Sequence, residues 1–132
     1  MNNRKIEQIL SKLNNITMVD DHPGYWVILF ENFQLHIITD ESANRMRIIA
    51  PVKEIEDVSD HQLITALKAH FNRALDIKYA IYDEKLWVVY MHYLKELTKD
   101  MFIDAMSQVY HAANNFGTSY SSSNLFFGAG DD

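Results

Sequence analysis

Six histidines are the residues of this 132-residue sequence whose chemistry is best suited to binding a metal ion or moving a proton. A zinc site needs three or four ligands that converge, and two histidines one helical turn apart are a common way to provide them. The sequence has neither a His-x₃-His pair nor an HExxH motif. We therefore predict no metal site, and expect the histidines at the surface or hydrogen-bonded in the core.

Nucleophilic and acid–base catalysis find equally little support. No G-x-S-x-G turn is present, and the serines at 119 and 121–123 lie in a tail that could not hold a base beside them. The paired acids Asp20-Asp21 and Asp40-Glu41 fall in predicted turns, whereas an acid–base group is usually partly buried with a shifted pKa. Four glycines, two of them in the tail, leave no phosphate-binding loop. We predict no catalytic residue and no cofactor.

Composition narrows the class of protein further. The length fits one domain, and 48% apolar residues suffice for a core. Cysteine is absent, which excludes disulfides and thiolate metal sites and is compatible with the cytoplasm. The net charge of −6, without a Lys/Arg cluster in the sequence, argues against nucleic acid. The N-terminus has no apolar segment typical of a signal peptide, and the longest apolar runs have six residues where a membrane helix needs about 20.

Hydrophobic periodicity predicts the element order α-β-β-β-α-β-β-α. Helices are expected at 3–15, from Ser59 or Asp60 to Leu75, and from the capping residue Thr98 to Gly117. Strands are expected at 25–30, 33–39, 45–50, 77–82 and 85–93, after a turn at 20–24. Tight hairpins imply an antiparallel sheet, so the fold class is α+β. Residues 1–117 form the predicted domain, and 118–132 a disordered tail in which the cluster Leu125-Phe126-Phe127 could dock on the domain.

The strands are apolar on both faces, which is unusual for an antiparallel sheet covered on one side. Either helices cover both faces, or one face is left as an apolar surface for a partner. We take Trp26, Ile28 and Phe30 as the partner-binding face, although the sequence leaves open the opposite parity, with Val27 and Leu29.

The second helix has two apolar edges. Its main stripe, expected in the core, is Ile64, Leu67, Phe71 and Ala74. A helix apolar over so much of its circumference is usually buried on two sides, and a twofold interface would provide the second. We therefore predict a homodimer, with an interface formed by Leu63, Ala66, Leu67 and His70.

The element order resembles the type III secretion chaperone-like fold group, which includes the Tir-chaperone type and the YbjN-like bacterial proteins. The second half of the chain carries the resemblance, from LITALKAHFNRALDIKYAIYDEKLWVVYMHYLKELTKD to the last amphipathic helix. The positions that match the group's pattern are Asn72, Leu86, Trp87, Leu94, Leu97 and Thr98. The resemblance implies a homodimeric chaperone or adaptor that performs no chemistry.

Two functions from different classes follow. The first is a non-catalytic module that holds a segment of a partner protein on an apolar, acid-rimmed surface. The alternative is a YbjN-like regulatory or small-ligand-binding domain, which should contain an enclosed pocket with convergent polar groups. An enzyme with a cryptic site would need the same kind of pocket.

Overall fold

The computed structural model describes residues 1–125, and over this range the chain forms three α-helices and a six-stranded antiparallel sheet. The elements are α1 (Asn3–Lys12), β1 (Ile16–His22), β2 (Tyr25–Phe30), β3 (Phe33–Asp40), β4 (Arg45–Glu54), a 3₁₀ turn (Ile55–Asp57), α2 (Asp60–Ala69), β5 (Ile77–Tyr82), β6 (Lys85–Tyr93) and α3 (Lys99–Asn115). The strand order is β1-β2-β3-β4-β6-β5. These findings confirm the α+β class. In the described range, no helix is long and apolar enough to cross a membrane.

Strand β1 is the element that the sequence did not predict. Asp20, Asp21 and His22, expected in a turn, pair instead with β2, and only Pro23 and Gly24 make the turn. Gly24 has a φ of 88°, which a hairpin turn this short favours. The strand lies at the sheet edge and contains a bulge between Met18 and Asp20. Polar residues are tolerated there because one side of an edge strand faces solvent. The element order is therefore α-β-β-β-β-α-β-β-α.

The core lies between one face of the sheet and the helices α1 and α3. Ile6 of α1 and Phe102 of α3 are fully buried against strand residues of one parity, such as Leu35 and Ile48. Helix α2 packs at the margin of the same face, where Ala66 and Ala69 contact Tyr79 of β5. All three helices thus lie on one side of the sheet.

Helix α2 begins as predicted and ends early. Ser59 accepts a hydrogen bond from the N–H of Gln62, whose side chain accepts one from the Ser59 N–H in return. The helix ends at Ala69 rather than Leu75. Leu75 has a φ of 50°, a left-handed conformation that no helix continues through. Ala74, the residue before this left-handed position, is completely buried in the core.

The first residues of the predicted tail belong to the domain. Tyr120, Ser121 and Ser122 are buried. The Ser122 hydroxyl donates to the carbonyl of Ala74 at 2.9 Å, and its N–H donates to the carbonyl of Arg73 at 3.1 Å. The domain boundary predicted at residue 117 is therefore wrong for 118–122. Leu125 is exposed, and the docking predicted for Phe126-Phe127 lies outside the described residues.

Candidate partner-binding site

The face of the sheet opposite the helices is covered by none of the elements described. We call it the open face. Its central row crosses five strands through directly paired residues, Val27, His36, Ile49, Val89 and Lys78. A second row consists of Tyr25, Ile38, Arg47 and Met91, and a third of Pro51, Trp87 and Ala80. The open face is therefore mainly apolar, and side chains such as Tyr25 and Met91 are exposed on it.

An aromatic cluster stands at the centre of the open face. The Tyr25 hydroxyl lies 2.8 Å from Nδ1 of His36, and the His36 ring meets Trp87 edge-on with centroids 6.1 Å apart. Burial holds the pKa of His36 below its usual range, so the ring is neutral near pH 7. The Trp87 Nε1–H donates to the carbonyl of Tyr82 at 2.8 Å, which fixes the indole on the β5–β6 hairpin. These contacts fix the positions of the Tyr25, His36 and Trp87 side chains on the open face.

A groove of about 400 Å³ runs along the open face over β4, β6 and β5. Its apolar lining includes Ile49, Trp87 and Met91, and its charged residues are Arg47 and Lys78. Both cations are exposed, and neither forms an ion pair with any residue in 1–125. The expectation of an acid-rimmed surface is therefore wrong for this half of the face, because the charges beside its groove are positive.

The residues predicted to bind a partner do not lie on the open face. Trp26 and Ile28 are 0% exposed in the core, and Phe30 is half-buried on the same side against Tyr110 of α3, with ring centroids 5.3 Å apart. The parity is the reverse of the one chosen, since α1 and α3 both pack on the side of Trp26. Val27 is the open-face residue between them.

Helix α2 is also rotated relative to expectation. The stripe assigned to the core points outward, with Ile64 53%, Leu67 68% and Phe71 89% exposed. Of the predicted dimer residues, Ala66 is buried, Leu63 and His70 are half-buried, and Leu67 is exposed. Leu67 lines a groove of about 300 Å³ between α2 and β5, together with Ile81. The exposed stripe of α2 and Ile81 form one apolar surface, which we call the α2 patch.

The histidines and acidic residues within 1–125 do not form a metal site. Within 1–125, no three His, Asp or Glu side chains come close enough together to hold a metal ion. Three histidines are partly buried, and each lies beside an aromatic ring: His36 contacts Tyr25, His70 stacks on Tyr79, and His92 stacks on Tyr90. The groove of the open face presents apolar side chains together with the two cations Arg47 and Lys78.

Comparison with known proteins identifies the fold. No family model matches the sequence, and no curated protein does. A Yersinia pestis type III secretion chaperone, SycH, solved with a fragment of YscM2, is 12% identical with a TM-score of 0.64, over 86% of this chain and 98% of that one. The HopA1–SchA chaperone–effector complex gives 15% identity and a TM-score of 0.63, over 85% and 87%.

An uncharacterized protein from Methanothermobacter thermautotrophicus shares the fold at 14% identity, with a TM-score of 0.61, over 89% of this chain and 94% of that one. The chain therefore has the type III secretion chaperone-like fold, which confirms the resemblance seen in the sequence. The YbjN-like part of that resemblance remains a prediction.

Proposed function

We propose that this chain is a non-catalytic, chaperone-like module that holds a segment of a partner protein on its open face. The observation that carries the proposal is the apolar sheet face, which no helix among the described residues covers. Soluble proteins seldom leave a large contiguous apolar surface exposed unless it binds something. A cytoplasmic location, expected from the absence of cysteine, is part of the same proposal.

The groove indicates which segment would fit. Trp87 and Met91 offer contacts for an apolar side chain, and aromatic residues tend to dominate binding energy at such surfaces. Arg47 and Lys78 lie on either side without partners within the described range, so they favour a segment that carries carboxylates. We infer an extended or amphipathic segment with an apolar anchor and an acidic residue beside it.

Two of the similar structures support a binding role by what they contain. SchA was solved in a chaperone–effector complex, and SycH with a fragment of YscM2. A small-ligand-binding function is less well supported, because such sites usually bury most of the ligand. The groove on the open face is instead a shallow surface feature with exposed walls, including Tyr82 and Met91.

We also propose that the chain forms a homodimer through the α2 patch. Leu67 on α2 and Phe71 in the turn that follows it are large, exposed apolar side chains, and Ile81 extends the patch onto β5. A twofold axis would bring two copies of this patch into contact, and each copy would bury the apolar side chains of the other. The α2 patch and the groove of the open face adjoin at β5, where Ala80 lines both grooves. A dimer through Leu67 and Phe71 would leave Trp87 and Met91, which lie on the opposite face of the sheet, available to the partner.

A binding experiment with matched variants tests the partner surface. The partner is purified from the native host with the tagged protein, identified, and measured again as a pure protein. We expect Trp87→Ser and Met91→Ser each to weaken binding at least tenfold, and Ile103→Ser, an exposed position on α3, to leave it unchanged. Binding should also change the tryptophan fluorescence. The change can be assigned to Trp87, because the second tryptophan, Trp26, is completely buried in the core. Equal affinity of all three variants would exclude the open face.

A further inference from the structure

Another cleft, distinct from the two grooves described above, lies between α1 and the start of α3 on the helix side of the molecule. It has a volume of about 360 Å³ and is lined by Met1, Lys5, Gln8, Ile9, Lys12, Leu97, Thr98 and Lys99. Three of these eight residues are lysines. The sequence showed no basic cluster because Lys12 and Lys99 are far apart along the chain, and only the packing of the two helices brings them to one cleft.

The side chains that line this lysine cleft carry no negative charge, although Asp100 follows Lys99 in the first turn of α3. Lys5 and Lys12 follow one side of α1 at a spacing of seven residues, or two helical turns. Lys99 is the first residue of α3, whose N-terminus adds the positive end of a 17-residue helix. No aspartate or glutamate lines the cleft, and none of the three lysines forms an ion pair within residues 1–125. Three unpaired cations are therefore held together on a chain of net charge −6.

The floor of the lysine cleft is apolar. Ile9 and Leu97 are nearly completely buried beneath it. Two turns of helix separate Lys5 from Lys12 by about 10 Å. On an extended chain of the polyproline II type, two carboxylates three residues apart lie on the same side and are separated by a similar distance of roughly 9 Å. A peptide that carries spaced acidic residues with an apolar residue between them matches both the charges and the floor.

We propose that the lysine cleft binds an acidic segment of a protein partner. A nucleic acid is disfavoured because the remaining surface of this acidic protein repels a long phosphate backbone. The lysine cleft and the open face are on opposite sides of the sheet, so this proposal does not depend on the proposed function. Failure at one surface leaves the other untouched.

The test is an NMR titration of the ¹⁵N-labelled protein with a synthetic eight-residue peptide that has Glu at every third position and Leu after each Glu. A peptide with Gln in place of Glu is the matched ligand control. We expect amide shifts in α1 and residues 97–102 with the Glu peptide only. The double variant Lys12→Gln/Lys99→Gln should weaken binding at least fivefold. The double variant Lys53→Gln/Lys68→Gln removes the same charge from exposed positions outside the cleft and should not.

Four outcomes would overturn the proposal. Equal weakening in both double variants would show nonspecific attraction. Shifts confined to strands β4–β6 would place the peptide on the open face and not in the cleft. Competition by inorganic phosphate at equal concentration would show a simple anion site, and tighter binding of an eight-nucleotide single-stranded DNA would identify a nucleic-acid surface.

Discussion

Tyr79 donates its backbone N–H to Nε2 of His70 over 3.0 Å, and the two rings stack with their centroids 5.8 Å apart. Tyr79 belongs to β5, an edge strand whose outer backbone groups would otherwise be free to pair with another strand. The carbonyl of Ala74 accepts the N–H of Ile77 on the same edge at 3.1 Å. These two contacts protect part of the edge, so the α2 patch offers mainly side chains to a second copy.

The contact between His70 and Tyr79 predicts a pH dependence of stability. Nε2 accepts a hydrogen bond, so the imidazole must be neutral with its proton on Nδ1. Burial first, and then the charge of Lys78, hold the pKa of His70 below 6.5 in the folded protein. The unfolded chain therefore takes up a proton at a higher pH than the folded one. The stability that neutral His70 contributes should be fully present above pH 6.5 and should be lost as the pH drops from 6.5 to the folded pKa.

Urea unfolding of the wild type and of His70→Gln between pH 7.5 and 5 measures this effect. Glutamine keeps a carbonyl acceptor but cannot titrate, so the variant should lose less stability over that range. His36, whose pKa is also lowered by burial, is present in both proteins and cancels in the comparison. Identical pH profiles would mean that His70 does not contribute.

The α2 patch predicts a dimer that a single charge disrupts. The wild type should sediment near twice its mass of 15.4 kDa at micromolar concentration. Leu67→Glu and Phe71→Glu should sediment as folded monomers, because both side chains are exposed within one subunit, whereas a dimer would bury the new charge without a partner. Ile103→Glu on α3 is the control and should remain dimeric. A wild-type monomer throughout this range would contradict the prediction.

Strand β2 predicts losses of stability that differ in size between neighbouring residues of opposite parity. Ile28→Ala opens the core and should lower the free energy of unfolding by about 2–5 kcal/mol. Leu29→Ala, one residue further on the exposed side, should cost less than about 1 kcal/mol. Denaturant unfolding of the two variants tests which side chains of β2 face the core. Similar losses for both would indicate that the two faces are equally buried.

Ser122 predicts a stabilising role for the first part of the former tail. Its hydroxyl is buried between the Ala74 carbonyl and Gln108 Oε1, at 2.9 and 3.2 Å. Ser122→Ala removes this donor, although the Ala74 carbonyl still accepts from the N–H of Ile77 and Gln108 Oε1 from the N–H of Asp76. The change should therefore cost about 0.5–1.5 kcal/mol, the net value of one hydrogen bond. Ser123→Ala, which removes only a local bond to the N–H of Leu125, should be nearly neutral in the same unfolding assay. Equal stability of both variants would return residues 118–122 to a disordered tail.

Several features were predictable because local interactions determine them. Ser59 and Thr98 cap helices α2 and α3, where a side-chain oxygen is needed by the first free N–H groups. Apolar runs separated by short turns defined the strands of both predicted hairpins, and the residues Tyr25–Phe30 form β2 as expected. The fold class followed from this order of elements, since two-residue turns allow only antiparallel neighbours.

The misassigned features depend on contacts with other segments of the chain and not on the residues of the segment itself. Asp20 and Asp21 read as turn residues until their pairing with Val27 and Trp26 places them at a sheet edge. Residues of both parities on β2 are large and apolar, so the orientation of Trp26 follows only from the side on which α1 and α3 pack.

Tertiary packing also decided which surfaces became available. The exposure of Leu67 and the meeting of Lys12 with Lys99 follow from how whole helices are placed against the sheet. The sequence by itself determined eight of the nine helices and strands, with β1 missed, and the absence of recognisable catalytic motifs, because these depend on residue type and short spacing. Which apolar face remains open, and where charges converge, was decided by the tertiary structure, because burial is a property of an element's neighbours and not of its own sequence.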